Sequence, residues 1–327
     1  MDAIIWITLL AVLVAEFVNG WTDAPNAIAT VVSTKVMTPR QAVFMAVTLN
    51  ILGTLSGTAV AVTIGKGIVD IAVVTPRIIL IAMFSLITWS SLAAKFGIPT
   101  SESHALVAGL TGAVLFYAGP QALIGSGWIK IGYGLLASTI LGFGLAWLIS
   151  KIVIMFSPLL NAQKSRVVYG RLQIFSSMFM AYNHGMNDGQ KFIGIFAMAL
   201  VVGGILPQFS VPLWVILLCS MTMGVGTSIG GWKIIKKVGM QMVKIKPWQG
   251  FASETGASIT ILLASLLGIP LSTTHTINTA IMGSAGAMGK SKVNWKIAGN
   301  IVLVWLLTFP GCALIAYLTA LAVHLIF

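Results

Sequence analysis

Gly97-Ile98-Pro99-Thr100-Ser101-Glu102-Ser103-His104 and Gly268-Ile269-Pro270-Leu271-Ser272-Thr273-Thr274-His275 are two copies of one pattern: a Gly-Ile-Pro break, a run of hydroxyls and a histidine. Each interrupts an apolar stretch, 78–117 and 251–287. Proline lacks an N–H and suits the first helical turn, so each break stops one helix and starts the next. Both stretches therefore read as helical hairpins that enter and leave the membrane on one side. A second pair, Asn19-Gly20-Trp21-Thr22-Asp23-Ala24-Pro25-Asn26 and His184-Gly185-Met186-Asn187-Asp188-Gly189-Gln190-Lys191, puts a carboxylate beside a helix breaker. The carboxylates are offset by 165 positions and the Pro99/Pro270 breaks by 171, so the halves align with few insertions.

The surroundings set the class. Of 327 residues, 57% are hydrophobic and 8% charged, and apolar stretches of membrane-spanning length recur along the whole chain. The expected fold is an all-α polytopic membrane protein; no series of short alternating segments suggests a barrel. Further segments are read at 3–33 (interrupted near 19–26), 41–64, 129–150, 172–202 (interrupted near 183–191), 211–230 and 297–325. Residues 3–18 read as a mature helix rather than a leader, because no Lys or Arg precedes them. Cys219 and Cys312 lie in apolar runs and read as buried small hydrophobes, with no metal or disulfide framework.

The net charge of +12 is a topology signal. Fourteen Lys and Arg fall in loops 35–40, 151–171, 233–246 and 290–296, whereas the alternate loops hold Lys66, Arg77 and Lys130. The rich loops are assigned to the cytoplasm and both termini to the outside. A nucleic-acid partner is excluded, since the basic residues pattern no soluble face. The parity makes the halves opposite in orientation: a first inverted repeat at 1–150, a cytoplasmic linker at 151–171 and a second inverted repeat at 172–327, each of about three spans plus a hairpin.

Carboxylates inside a membrane cost about 2.5–3.5 kcal/mol on insertion scales, so they mark a cavity or a partner. Glu16 and Glu254 occur singly; Glu16 reads equally as structural or functional, and Glu254 leans to the structural reading while remaining a supporting candidate. Asp23 and Asp188 are duplicated beside helix breaks and read as cation-coupling, with Asn26, Asn187 and Gln190 as further hard oxygen donors and Thr22 in support. The chemistry suits Na⁺ at Asp23 and Asp188, or a proton held on a carboxylate. Thr100, Ser101, Ser103, Ser272, Thr273 and Thr274 ride on helix starts, where free N–H groups and the dipole favour an anion. Two such starts converging at mid-bilayer make a cradle for a tetrahedral oxyanion. His104 and His275 either donate to it or pack the hairpin tips; Glu102 is a supporting candidate. An oxyanion beside a carboxylate is repelled by roughly 4 kcal/mol at moderate dielectric, which intervening cations reverse. Anion and cation should then bind cooperatively, which is symport. The residues alone admit phosphate, sulfate or a related oxyanion. A remote alternative is an intramembrane hydrolase built on Gly226-Thr227-Ser228-Ile229 with His275 as base, which leaves the repeated acids without a role.

At these motifs the chain resembles the inorganic phosphate transporter family, the bacterial Pit proteins and type III sodium–phosphate symporters. Gly20–Ala27 and Gly185–Lys191 resemble its duplicated Asn-Asp signature; Pro99–His104 and Pro270–His275 resemble its hairpin tips; Gln249–Glu254 resembles a further family element. The resemblance implies import of inorganic phosphate, no enzymatic activity, no cofactor, a plasma (inner) membrane location and a homodimer. It also marks departures. Thr22 precedes Asp23 where the family usually has Asn, and Lys191 stands where sodium-coupled members carry Asn. The string Asn187–Lys191 is closer to the low-affinity bacterial branch, which implies H⁺ somewhat ahead of Na⁺ and divalent metal–phosphate complexes as cargo. Three residues from Asp188, the Lys191 ammonium can take one cation's place, which adds Lys191 to the cation-coupling set.

Overall fold

Apolar stripes and breakers divide the described residues into fourteen α-helices. The computed structural model describes residues 3–156 and 161–326. The first half contains α1 (Ala3–Thr22), α2 (Ala24–Ser33), α3 (Pro39–Thr54), α4 (Ala59–Lys66), α5 (Pro76–Lys95), α6 (Glu102–Ala118) and α7 (Gly125–Phe156). The second contains α8 (Ala162–His184), a π-helical turn (Gly185–Gly189), α9 (Gln190–Val202), α10 (Leu213–Ile229), α11 (Trp232–Lys236), α12 (Pro247–Leu266), α13 (Thr273–Gly286) and α14 (Trp295–Ile326).

Among the described residues, four helical stretches are long and apolar enough to cross a bilayer: Ala3–Ser33, Pro76–Lys95, Gly125–Phe156 and Trp295–Ile326. The segment expected as one span at 41–64 is instead α3 and α4, bent by 71°. Ser56 and Gly57 lie at that bend, where helix propensity is poor. A matching bend of 61° follows α10, at Gly230, whose φ of +67° is a left-handed conformation that favours glycine. Most of the stretch read as a linker, 151–171, is helical, because α7 runs on to Phe156 and α8 begins at Ala162. At 32 residues each, α7 and α14 are about 48 Å long, more than a hydrocarbon core needs.

Small residues decide the packing. The buried stripe of α7 is Gly127, Ile131, Gly134, Ser138, Gly142, Ala146, Ser150 and Val153, while Ile129, Tyr133, Leu136 and Ile140 face outward. This is the arrangement of a helix that meets protein on a narrow face and lipid on the rest. That narrow face covers α12 and α13, and α14 covers α5 and α6. Each long helix thus roofs the helix pair of the opposite half. α1 packs on α5 and α10; α8 packs on α12 and α3. Inside this shell α6 and α13 are buried on all sides from Glu102 to Val114 and from Thr273 to Ala285.

Candidate functional site

Two helix starts and two helix interruptions meet at the centre. Gly97 and Gly268 both have φ of +63°, reversing the chain after α5 and α12. Ser101 and Ser272 then cap the new helices, accepting from the His104 and His275 amides at 3.3 and 3.2 Å. The amides of the first two residues of each helix have no intrahelical acceptor. The two starts touch: Ser103 Oγ donates to the Leu271 carbonyl at 2.9 Å, and the His104 and His275 rings lie edge to face at 4.6 Å.

The interruptions differ in cause. Between α1 and α2, Pro25 occupies the first turn of α2, and Asp23 caps that helix without a side-chain cap bond, leaving its carboxylate for other partners. In the second half Gly185 and Gly189 permit a π turn, whose extra residue turns Asp188 inward. Asp23 accepts from Thr274 and from Asn26 Nδ2 at 2.8 Å. Asp188 pairs with Lys191, accepts from Thr273 Oγ1 at 2.5 Å and lies 3.2 Å from His184 Nε2. Thr273 Oγ1 also lies 3.3 Å from Asp23, so one hydroxyl bridges the two carboxylates. Lys191 Nζ donates in addition to Ser103 and, at 2.7 Å, to the Leu271 carbonyl.

Asp23, Asp188, Lys191, Ser103, Thr273, Thr274 and Asn26 are therefore one buried cluster. Asp23, His184 and Asp188 offer ligand atoms within 4.8 Å of one another. At that distance two carboxylates repel by roughly 3 kcal/mol at an effective dielectric near 20, a repulsion that the Lys191 ammonium paired with Asp188 offsets in part. Asn26 Oδ1 is buried without a protein partner and is a further hard donor. Lys191 Nζ reaches both helix starts, at Ser103 and at the Leu271 carbonyl.

Other expected residues go elsewhere. Thr100 bonds to Thr308 at 2.9 Å and accepts from Trp89 at 3.1 Å, tying the tip to α14 and α5. Ser101 and Ser272 are caps. Asn187 Nδ2 bonds to Ser265 at 2.8 Å, and Gln190 accepts from the Val60 amide at 3.0 Å. Thr22 donates to Glu102 at 2.7 Å, with Ser90 on the other carboxylate oxygen, which ties α6 to α1 and α5. Glu254 accepts from Thr30 and Ser176 and joins α2, α8 and α12. His275 stacks on Trp305 at 3.9 Å. Cys219 and Cys312 are free and buried. Ser228 is exposed and donates to Val225 O at 2.6 Å, while His275 sits at the helix starts, so the hydrolase pairing is not formed. His184 and Asn50, whose contact is 3.2 Å, were not singled out from sequence. The signal for His184 was present as its four-residue spacing to Asp188; Asn50 occurs once in an apolar helix and gives none.

The chain matches the Phosphate transporter family over residues 19–316. It is 42% identical to a "Probable low-affinity inorganic phosphate transporter" of Rhizobium meliloti and 38% identical to one of Bacillus subtilis, covering 100% of both partners in each comparison. Its fold is similar to a solved structure described as "The sodium-dependent phosphate transporter", with a TM-score of 0.89, 26% identity and full coverage of both chains. The members of this family are transporters, not enzymes, and the apolar helices described above make this a multi-pass membrane protein. With its helix starts, its paired carboxylates and these relatives, the chain belongs to the phosphate transporter family.

Proposed function

We propose that this protein imports inorganic phosphate across the plasma membrane together with a cation, by alternating exposure of the buried cluster to the two sides. The observation that carries the proposal is the contact of the α6 and α13 starts over a cluster holding Asp23, Asp188 and Lys191. Anion donors and cation ligands there share the same atoms: Thr273 and Thr274 hydroxyls now donate to the carboxylates and would have to turn to serve an anion. Binding of one species is thereby linked to binding of the other.

Two inverted repeats underlie the alternation in this reading. The packing pattern supports it, because exchanging the halves maps α1 on α10 to α8 on α3, and α7 on α13 to α14 on α6. The charge parity of the loops supplies the antiparallel sense, with both termini outside. The coupling ion is H⁺ ahead of Na⁺, since Lys191 already places one positive charge against Asp188. The cargo includes metal–phosphate complexes, and the protein works as a homodimer.

The test is radiolabelled phosphate uptake into proteoliposomes under H⁺ and Na⁺ gradients imposed separately. Accumulation against the phosphate gradient under one of them is expected; none under either refutes symport. Sulfate should fail to displace phosphate. Asp23→Asn and Asp188→Asn should abolish uptake, whereas Ser272→Ala with Thr273→Ala should chiefly raise the phosphate concentration needed for half-maximal uptake. Wild-type rates in the Asp variants would refute their role.

A further inference from the structure

Glu16 is 0% exposed on α1, two turns before Asp23, and the mechanism above leaves it unused. Asn19 Nδ2 donates to Glu16 Oε2 at 3.0 Å. Glu16 Oε1 and Asn19 Oδ1 are both buried without a protein hydrogen-bond partner. Two unpaired acceptors on bonded side chains are costly in an apolar interior. The surroundings are closely packed: Val12 and Ala15 on the same helix are fully buried, and α5, α9 and α10 close over it. The charged and titratable groups that act on Glu16 are Asp188 of the π turn, Lys191 of α9, Glu102 of α6 and Cys219 of α10. Of the remaining neighbours, α5 carries charge only near its ends, at Arg77 and Lys95, and α2 carries none.

Three occupants could relieve the pair. A hard metal ion takes about six oxygens, and only two are free here. A water would bridge both acceptors but leave the carboxylate charge buried. A proton on Oε1 does both jobs: the acid O–H donates to the Asn19 carbonyl while the Asn19 amide donates to Oε2, closing an acid–amide ring. The second half has no such device, because the positions aligned with Glu16 and Asn19 through the 165-residue offset are Ala181 and His184.

We infer that Glu16, paired with Asn19, is the proton-binding site of this transporter, separate from the Asp23–Asp188 cluster. This rests on the symport reading and names its proton carrier. A hydronium gives its proton to Oε1, one O–H bond forming as another breaks, and water is released. The reverse transfer frees the proton on the other side. The Asn19 main-chain carbonyl accepts the Asp23 amide at 2.9 Å, so the site sits on the turn that leads into the helix interruption. Neutralising Glu16 removes a negative charge from the neighbourhood of Asp188 and favours the incoming anion.

The experiment compares wild type, Glu16→Gln and Asn19→Ala as purified full-length protein. Infrared difference spectra between acid and alkaline pH should show a neutral carboxylic acid in wild type that Glu16→Gln lacks; identical spectra overturn the inference, as a bridging water would produce. In proteoliposomes, a proton gradient should drive accumulation in wild type and about tenfold less in Glu16→Gln, with proton influx, read by an internal pH dye, lost in parallel. Equal proton-driven accumulation in both overturns it. If Glu16→Gln does not fold, Asn19→Ala decides: the pH midpoint of uptake should shift, and an unmoved midpoint overturns the site. Wild-type accumulation on a sodium gradient alone, without proton influx, overturns this inference and leaves symport standing. No accumulation under any gradient defeats symport itself.

Discussion

Lys191 is the residue on which the cluster turns. Fully buried, it ties the π turn to both helix starts through Asp188, Ser103 and the Leu271 carbonyl. Removing one member of a buried ion pair costs about 3–5 kcal/mol unless another charge replaces it. Lys191→Asn should therefore leave Asp188 short of one positive charge and make uptake depend on added Na⁺; uptake indifferent to Na⁺ in that variant would refute the role of the ammonium. The duplicated motifs mark Asp23, Asp188, Thr273 and Thr274 by repetition and a breaker, and the fold brings these four side chains together. The direction of the Thr100 hydroxyl was not legible, because it depends on what lies opposite, here Thr308 more than two hundred residues away. Asn50 was invisible for the same reason: its meaning comes from His184 across a helix crossing.

Helix crossings set by glycine position these groups. A Cβ on Gly226 would sit 2.1 Å from the Phe17 carbonyl, and one on Gly20 would sit 2.2 Å from the Met223 carbonyl. α1 and α10 thus touch backbone to backbone. Gly226→Ala should force them apart, at about 1–3 kcal/mol of overpacking, and lower the melting temperature in detergent. Gly132→Ala, which meets nothing within 4 Å, should leave it unchanged. Equal melting curves for the two would show that the crossing yields freely. Interruptions carrying Pro or paired Gly were legible at this scale, as were the Gly-Ile-Pro reversals. The α3–α4 bend was not, because apolar residues continue through it and hydropathy carries no angle.

The whole molecule was legible as an all-helical membrane bundle, since composition and the recurrence of apolar segments are global properties. Which helix covers which was not, because any helix with a small-residue stripe can meet several partners. Orientation is open to direct measurement. In a Cys219→Ala, Cys312→Ala background, Ala3→Cys and Leu325→Cys should react with an impermeant maleimide on intact cells, and Lys244→Cys only after permeabilisation; the opposite pattern would invert the assigned topology. The roofing of α12 and α13 by α7, and of α5 and α6 by α14, reaches beyond transport. A polypeptide ending near Phe156 would expose the outer side of α5 and α6 and hold α7 with nothing to clasp. Its natural remedy is a sibling copy facing it, each lending the other its last helix. Fusion into one chain would then make permanent a handshake that separate subunits had to find by collision, and the two fragments made apart should still find each other.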